Sequence, residues 1–184
     1  MTRMDWPRHT PTLTDGTITL RPAQADDAEG IVAMCTDLES VRFTAVPPGY
    51  TTANAVDYIS RSRENCWPEV HLVISDDTDA VLGNCSLREL DDEAAVVGIG
   101  YLVAPWARRR GVATAATRLL IDYAFAIGAF RFELDAFADN VGSRAVAKAC
   151  GLTEEGVMRG ARLGNGGVRH DLVRHAVLRT DRPG

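Results

Sequence analysis

Apolar positions follow two rhythms along this chain. TITLRPA (residues 17–23) alternates apolar and polar side chains, the period of a strand. DDAEGIVAMCTDL (26–38) carries Ile31, Met34, Cys35 and Leu38 at helical spacing, behind acids that suit a helix start. RFTAVPPGY (42–50) reads as loop, because Pro47-Pro48-Gly49 excludes regular structure. TTANAVDYISRSREN (51–65) predicts a second helix with a threonine cap and with Val56 and Ile59 turned inward. EVHLVIS (69–75) and AVLGNCSLREL (80–90) read as strands about a DDTD turn, and DDEA (91–94) makes another turn. AVVGIGYLVAP (95–105) is a nearly continuous apolar run, the pattern of a buried strand. From Gly111 to Gly128, residues Val112, Ala116, Leu119, Leu120, Tyr123 and Ile127 form one face of an amphipathic helix. FRFELDAF (130–137) is a strand with Phe132, Leu134 and Ala136 on one face and Glu133 and Asp135 on the other. NVGSRAVAKACG (140–151) is a short helix, and 152–179 holds two strands around a GNGG turn at 164–167.

The resulting order, β-α-α-β-β-β-α-β-α-β-β, defines one α/β domain with a mixed sheet. Its one parallel-type crossover runs from strand 95–105 through helix 111–128 to strand 130–137. Residues 1–15 are polar and proline-bearing, which predicts a flexible leader ahead of a domain at 16–180. The length of 184 residues suits one core. No apolar run approaches the roughly 20 residues needed to cross a bilayer, and the N-terminus lacks a signal-peptide pattern, so a cytoplasmic protein without a membrane partner is expected. The net charge of −5 argues against a general nucleic-acid binder. Cys35, Cys66, Cys85 and Cys150 form no CxxC pair and read as reduced, small apolar side chains. His9, His71, His170 and His175 are as scattered, so no metal site is expected.

Positive charge is concentrated in RRRGVAT (108–114), between the buried strand and the long helix. A helix start exposes about four unpaired N–H groups and a partial positive charge, a natural seat for phosphate. Gly111 and Ala113 would let an anion approach the backbone, and Arg108, Arg109 and Arg110 would add charge-assisted hydrogen bonds. The chain has no GxxxxGK[ST], and Gly98 and Gly100 lie within a strand, so neither a Walker loop nor a dinucleotide fingerprint is present. A solvated charge run remains the alternative for the arginines alone.

GIGYLVAPWARRRGVATAATRLLIDYAF (98–125) resembles the acetyl-CoA-binding core of the GNAT N-acetyltransferase superfamily; Arg108-x-x-Gly111-x-Ala113 matches its [Q/R]-x-x-G-x-[G/A] pattern. FELDAFADNVGSRAVAKACGLTEEG (132–156) is similar to the segment that follows in the branch of ribosomal-protein N-terminal (Rim-type) acetyltransferases, with Asn140, Ser143, Gly151-Leu152 and Glu155-Gly156 at the matching places. The resemblance covers about residues 16–180. It implies a GNAT-like fold of about seven strands and four helices, in which strands 95–103 and 130–137 splay to admit the pantetheine arm of acetyl-CoA as co-substrate. The backbone of Leu102 and Val103 would pair with that arm. An N–H near a bulge would polarise the thioester carbonyl. Arg108, Arg109, Arg110, Gly111, Val112, Ala113 and Thr114 would hold the pyrophosphate, and Asn140 and Ser143 would contact the arm's far side.

The reaction so implied is attack of a primary amine, from a protein N-terminus or a small molecule, on the thioester. Many members place an acid tyrosine on the helix after the asparagine motif; here that helix carries Ala145, Val146 and Ala147, and Ser143 takes the role by resemblance. Ser143 also fits a helix-start hydroxyl that only orders the turn. Asp135 is the expected base, with Glu133, Glu93 and Glu155 as rivals. Asp171 and His175, on a last strand expected at a sheet edge, would face the acceptor or serve structure only. Loop 41–50 and helix 51–65, with Tyr50 and Trp67, are expected to border the acceptor. A non-catalytic CoA-binding module and an acyltransferase using another donor, such as succinyl-CoA, are the competing readings; a homodimer stays open.

Overall fold

The computed structural model describes residues 4–64, 68–165 and 167–182. Among them run β1 (Leu13–Thr14), β2 (Thr19–Arg21), α1 (Ala28–Cys35), α2 (Leu38–Arg42), α3 (Thr52–Glu64), β3 (Glu69–Ser75), β4 (Val81–Asp91), β5 (Val96–Val103), α4 (Val112–Ala126), β6 (Arg131–Phe137), α5 (Val141–Ala149), β7 (Thr153–Leu163) and β8 (Arg169–Leu178). The strands make one sheet in the order β1-β2-β3-β4-β5-β6-β8-β7. Every pairing is antiparallel except β5 with β6.

The eighth strand and fifth helix exceed the expected architecture for local reasons. Asp37 interrupts the helix expected over 26–38: its extended backbone and its carboxylate, accepting from the Ser40 N–H at 2.9 Å, restart the chain as α2. Leu38 is left exposed. Residues 4–14, expected to be loose, pack on the domain. Met4 is buried, the Asp5 N–H donates to Ile127 O (2.7 Å), the Trp6 indole donates to Glu89 (2.9 Å), and β1 pairs with β2. On α3 the inward side chains are Ala55 and Ile59; Val56 is 56% exposed, one position off the buried stripe. Cys35 and Cys85 are buried free thiols and Cys150 is half-buried and free, while Cys66 lies outside the described residues. Burial alone pushes the Cys35 thiol up to about 11.

The core lies on both sides of the sheet, with Leu72, Leu87, Val97, Leu120, Ile121 and Phe132 among its fully buried side chains. β5 and β6 pair only at Val96↔Arg131, Val97↔Phe132 and Gly98↔Glu133. Beyond that point β5 stays on β4 as far as Val103, and β6 stays on β8 as far as Phe137. The sheet therefore opens between them. The irregularity of the β4–β5 ladder falls between Glu89 and Asp91 of β4, at the closed end of the opening, and β5 pairs in unbroken register from Val97 to Val103. No bulge interrupts β5 where one was expected to present an N–H. β8 lies between β6 and β7 and is an interior strand, so the edge expected there belongs to β7.

Candidate active site

The opening between β5 and β6 is the floor of a cleft of about 1120 Å³. Its donor groups follow from strand alternation. Ala104 N–H bonds to Leu82 O at 2.9 Å, in register with the β4–β5 ladder. The alternation of an antiparallel pair then directs the amides of Gly98, Gly100 and Leu102 toward β4. Those of Ile99, Tyr101 and Val103 point the other way; beyond the last β5–β6 pair, Gly98↔Glu133, the amides of Tyr101 and Val103 face the opening. Of the two residues expected to pair with an extended ligand, Val103 presents its backbone to the cleft and Leu102 does not. Tyr101 presents its backbone there as well.

The mouth of the cleft is the start of α4. Gly111 is the N-cap, with φ +80°, and no side chain caps the helix. That left-handed backbone favours glycine, which has no Cβ to resist it. Gly111, Val112, Ala113 and Thr114 all line the cleft, so the first amides of α4 face it without a side chain in the way. An uncapped helix start of this kind is suited to an anion. The three arginines part company. Arg108 lines the cleft with its guanidinium committed to α2: it donates to Glu39 Oε2 at 2.7 Å, to Ser40 Oγ at 3.0 Å and to the Asp37 carboxylate, tying the loop to α2. Burial pushes the Asp37 carboxyl up, but the Arg108 guanidinium and the Ser40 amide and hydroxyl outweigh it and hold the group below its ordinary value. Arg109, at φ +58°, lines the cleft, whereas Arg110 does not.

α5 forms one wall. Asn140 caps it, its Oδ1 accepting from the Ser143 N–H at 3.0 Å. Asn140 thus performs the capping that Ser143 was free to perform, and the Ser143 hydroxyl is released for another partner. That partner is the Tyr101 hydroxyl, 2.8 Å away. Burial pushes the Tyr101 phenol up to about 12, against the opposing Ser143 hydrogen bond, so it is neutral at ordinary pH. Tyr101 was not anticipated. Its signal is a phenol at an inward position of an apolar strand, a group that needs a polar partner once buried.

Residues of the opposite sheet face form the other side. Gly98 pairs with Glu133, and an added Cβ at Gly98 would stand 3.0 Å from Leu90 Cδ1. Gly98, Arg88, Leu90, Glu133 and Asp135 therefore share one face, away from α5. Here carboxylates and arginines alternate. Arg131 holds Glu155 (2.8 Å) and Glu133 (2.6 Å); Arg174 holds Glu133 (2.9 Å) and grips Asp135 at both oxygens (2.8 and 2.7 Å). Glu133 and Asp135 line the cleft, but Glu93 and Glu155 do not. Asp171 accepts from the Gly160 N–H (2.7 Å), and buried His175 lies 3.5 Å from Glu154; neither lines the cleft. α2 and the following loop contribute Glu39, Ser40, Phe43, Thr44 and Ala45, whereas Tyr50 is not a lining residue and Trp67 lies outside the described residues. The β7–β8 turn reaches this loop, Asn165 Nδ2 donating to Val41 O and Val46 O at 3.0 Å each.

A sheet opened at one parallel pair, with an uncapped helix start at its mouth, leaves unpaired backbone donors along an open cleft. Comparison with known proteins places it: the chain belongs to the GNAT acetyltransferase domain family, whose profile matches residues 17–153. YdaF of Bacillus subtilis (strain 168), whose name assigns it provisionally to the ribosomal N-acetyltransferases, is 37% identical over 103 residues, 55% of this chain and 56% of that one. The chain thus spans little more than half the length of that relative. Among solved structures, the microcin C7 self-immunity acetyltransferase MccE, in complex with acetyl-CoA and AMP, is 25% identical with a TM-score of 0.80 over 90% of this chain and 93% of that one. Mycobacterium smegmatis RimJ, in complex with CoA-disulfide, shares the fold at 22% identity, with a TM-score of 0.82 over 100% of this chain and 93% of that one.

Proposed function

We propose that this chain transfers the acetyl group of acetyl-CoA to a primary amine by direct attack. The observation that carries the reading is the alignment along one cleft of the α4 amides, the unpaired backbone of β5 and the Ser143–Tyr101 hydroxyl pair. The helix start would take the pyrophosphate, and Tyr101 and Val103 would pair with the pantetheine arm as an added strand does. Such amides would also favour negative charge developing on the thioester oxygen. In the reaction the amine nitrogen bonds to the carbonyl carbon, the C–S bond breaks, the thiolate gains a proton and the nitrogen loses one. Ser143, backed by Tyr101, supplies the proton to sulfur. Asp135 accepts the amine's proton through water, on lone pairs that Arg174 leaves free.

Thiol release from acetyl-CoA across a panel of peptides and small amines tests this reading. Amine-dependent release is expected, with Ser143→Ala lowering kcat about 100-fold, the lower range for a general acid. Tight acetyl-CoA binding with no turnover, unaltered by Ser143→Ala and Asp135→Asn, contradicts it in favour of a non-catalytic CoA-binding module.

A further inference from the structure

Charge on the acceptor side of the cleft is unbalanced in a specific way. Five arginines and three carboxylates line the cleft in a chain of net charge −5. All three carboxylates are already engaged: Glu39 by Arg108, Glu133 by Arg131 and Arg174, and Asp135 by Arg174. Two arginines outside the donor loop are the reverse case. Arg88, exposed on β4, stands opposite Gly98 of β5 and Glu69 of β3, and Arg162, exposed on β7, stands opposite His170. Both line the cleft, and neither makes an ion pair or hydrogen bond among the described residues. Arg88 shares the face of Gly98 and Glu133, away from the Ser143–Tyr101 pair and the β5 groups assigned to the acyl carrier. Edge-to-face ring contacts from Phe43 to Phe137 (5.8 Å) and from Phe137 to His170 (5.2 Å) form an apolar floor on this side.

We infer that the acceptor is an anionic amine, a primary amine whose body carries carboxylate or phosphate that Arg88 or Arg162 receives from its own side of the cleft, and not a polyamine or a basic peptide. The inference rests on the acetyltransferase reading for the identity of the amine, but not for the anion subsite. An arginine offers a planar fork of donors matched to either anion. A polycation would meet surplus positive charge and carboxylates already neutralised by arginine. The same chemistry serves an acidic peptide N-terminus and a small amino acid or phosphorylated amine.

The test compares acceptors at saturating acetyl-CoA: a tripeptide with glutamate at positions two and three, its lysine counterpart, glutamate itself, O-phosphoethanolamine and spermidine. The expected result is a kcat/KM at least tenfold higher for the acidic acceptors, equivalent to about 1.4 kcal/mol. Arg88→Ala/Arg162→Ala should abolish this preference by raising the acceptor KM while leaving the KM for acetyl-CoA unchanged. The peptide and small-molecule arms identify the source of the anion. Equal or better turnover of the lysine peptide or spermidine overturns the inference, as does a preference that survives in the double variant. Equilibrium binding of the two labelled peptides to the CoA-saturated protein separates the two readings. Binding that favours the acidic peptide through Arg88 and Arg162, without acetylation, overturns the acetyl-transfer reading and upholds the anion subsite. Binding indifferent to peptide charge overturns the subsite.

Discussion

The hydroxyls of Ser143 and Tyr101 stand 2.8 Å apart on the α5 side of the cleft, and the proposed mechanism gives each a separate task. Asn140 already caps α5, so the Ser143 hydroxyl is not consumed by the helix start. Tyr101→Phe keeps the ring and removes the hydroxyl; it should lower kcat severalfold, less than Ser143→Ala, with little change in the KM for acetyl-CoA. The pH dependence has a definite sign. With its pKa raised to about 12 against an ordinary value near 10, Tyr101 favours the folded, protonated state. Its contribution to stability is complete below about pH 10 and is lost as pH rises toward 12. An alkaline limb in kcat below pH 10 should therefore persist in Tyr101→Phe, and its disappearance in that variant would refute the assignment. These residues differ in how readable they are. Ser143 is recognisable from a local motif. Tyr101 lies 42 positions away, and its part is visible only once β5 and α5 face each other.

At the level of elements, the loop from β5 to α4 is the best-read part of the chain, because its chemistry is local. A glycine at a left-handed helix start and three small or aliphatic residues after it are contiguous in sequence. Gly111→Val should weaken acetyl-CoA binding about tenfold, measured by calorimetry. An added Cβ at Gly111 meets nothing within 4 Å in the protein. The penalty arises instead from the positive φ, which costs an L-residue about 1–2 kcal/mol, and from the side chain standing in the anion's path. Unchanged affinity in a folded variant would remove the pyrophosphate from this loop. The arginines were less legible. Arg108 matches the family motif, yet it is spent on α2, whose acids lie about 70 positions earlier. The same contact explains why α2 escaped the helical pattern: it is a single turn and a half, set by the Asp37 cap and held by a distant guanidinium.

Across the whole molecule, the order of strands and helices was written in the hydrophobic pattern, since each long element buries one face. The features that were not legible depend on contacts between distant segments. The packed leader depends on Met4 and Asp5 meeting the end of α4. The interior place of β8 depends on β6 pairing past its neighbour in sequence. The bridge from the β7–β8 turn to α2 and the loop after it depends on Asn165 reaching Val41 and Val46. The sheet's opening was expected from the family resemblance, not from the hydrophobic pattern: only three residue pairs join β5 to β6 before the strands part. Amide hydrogen exchange, resolved by residue with and without acetyl-CoA, tests that opening as the donor site most directly. Ligand should slow exchange at Tyr101, Val103 and the first amides of α4. It should leave Gly100 and Leu102, already directed at β4, at their original rates. Protection confined to other parts of the chain, or equal change at odd and even positions of β5, would contradict the account.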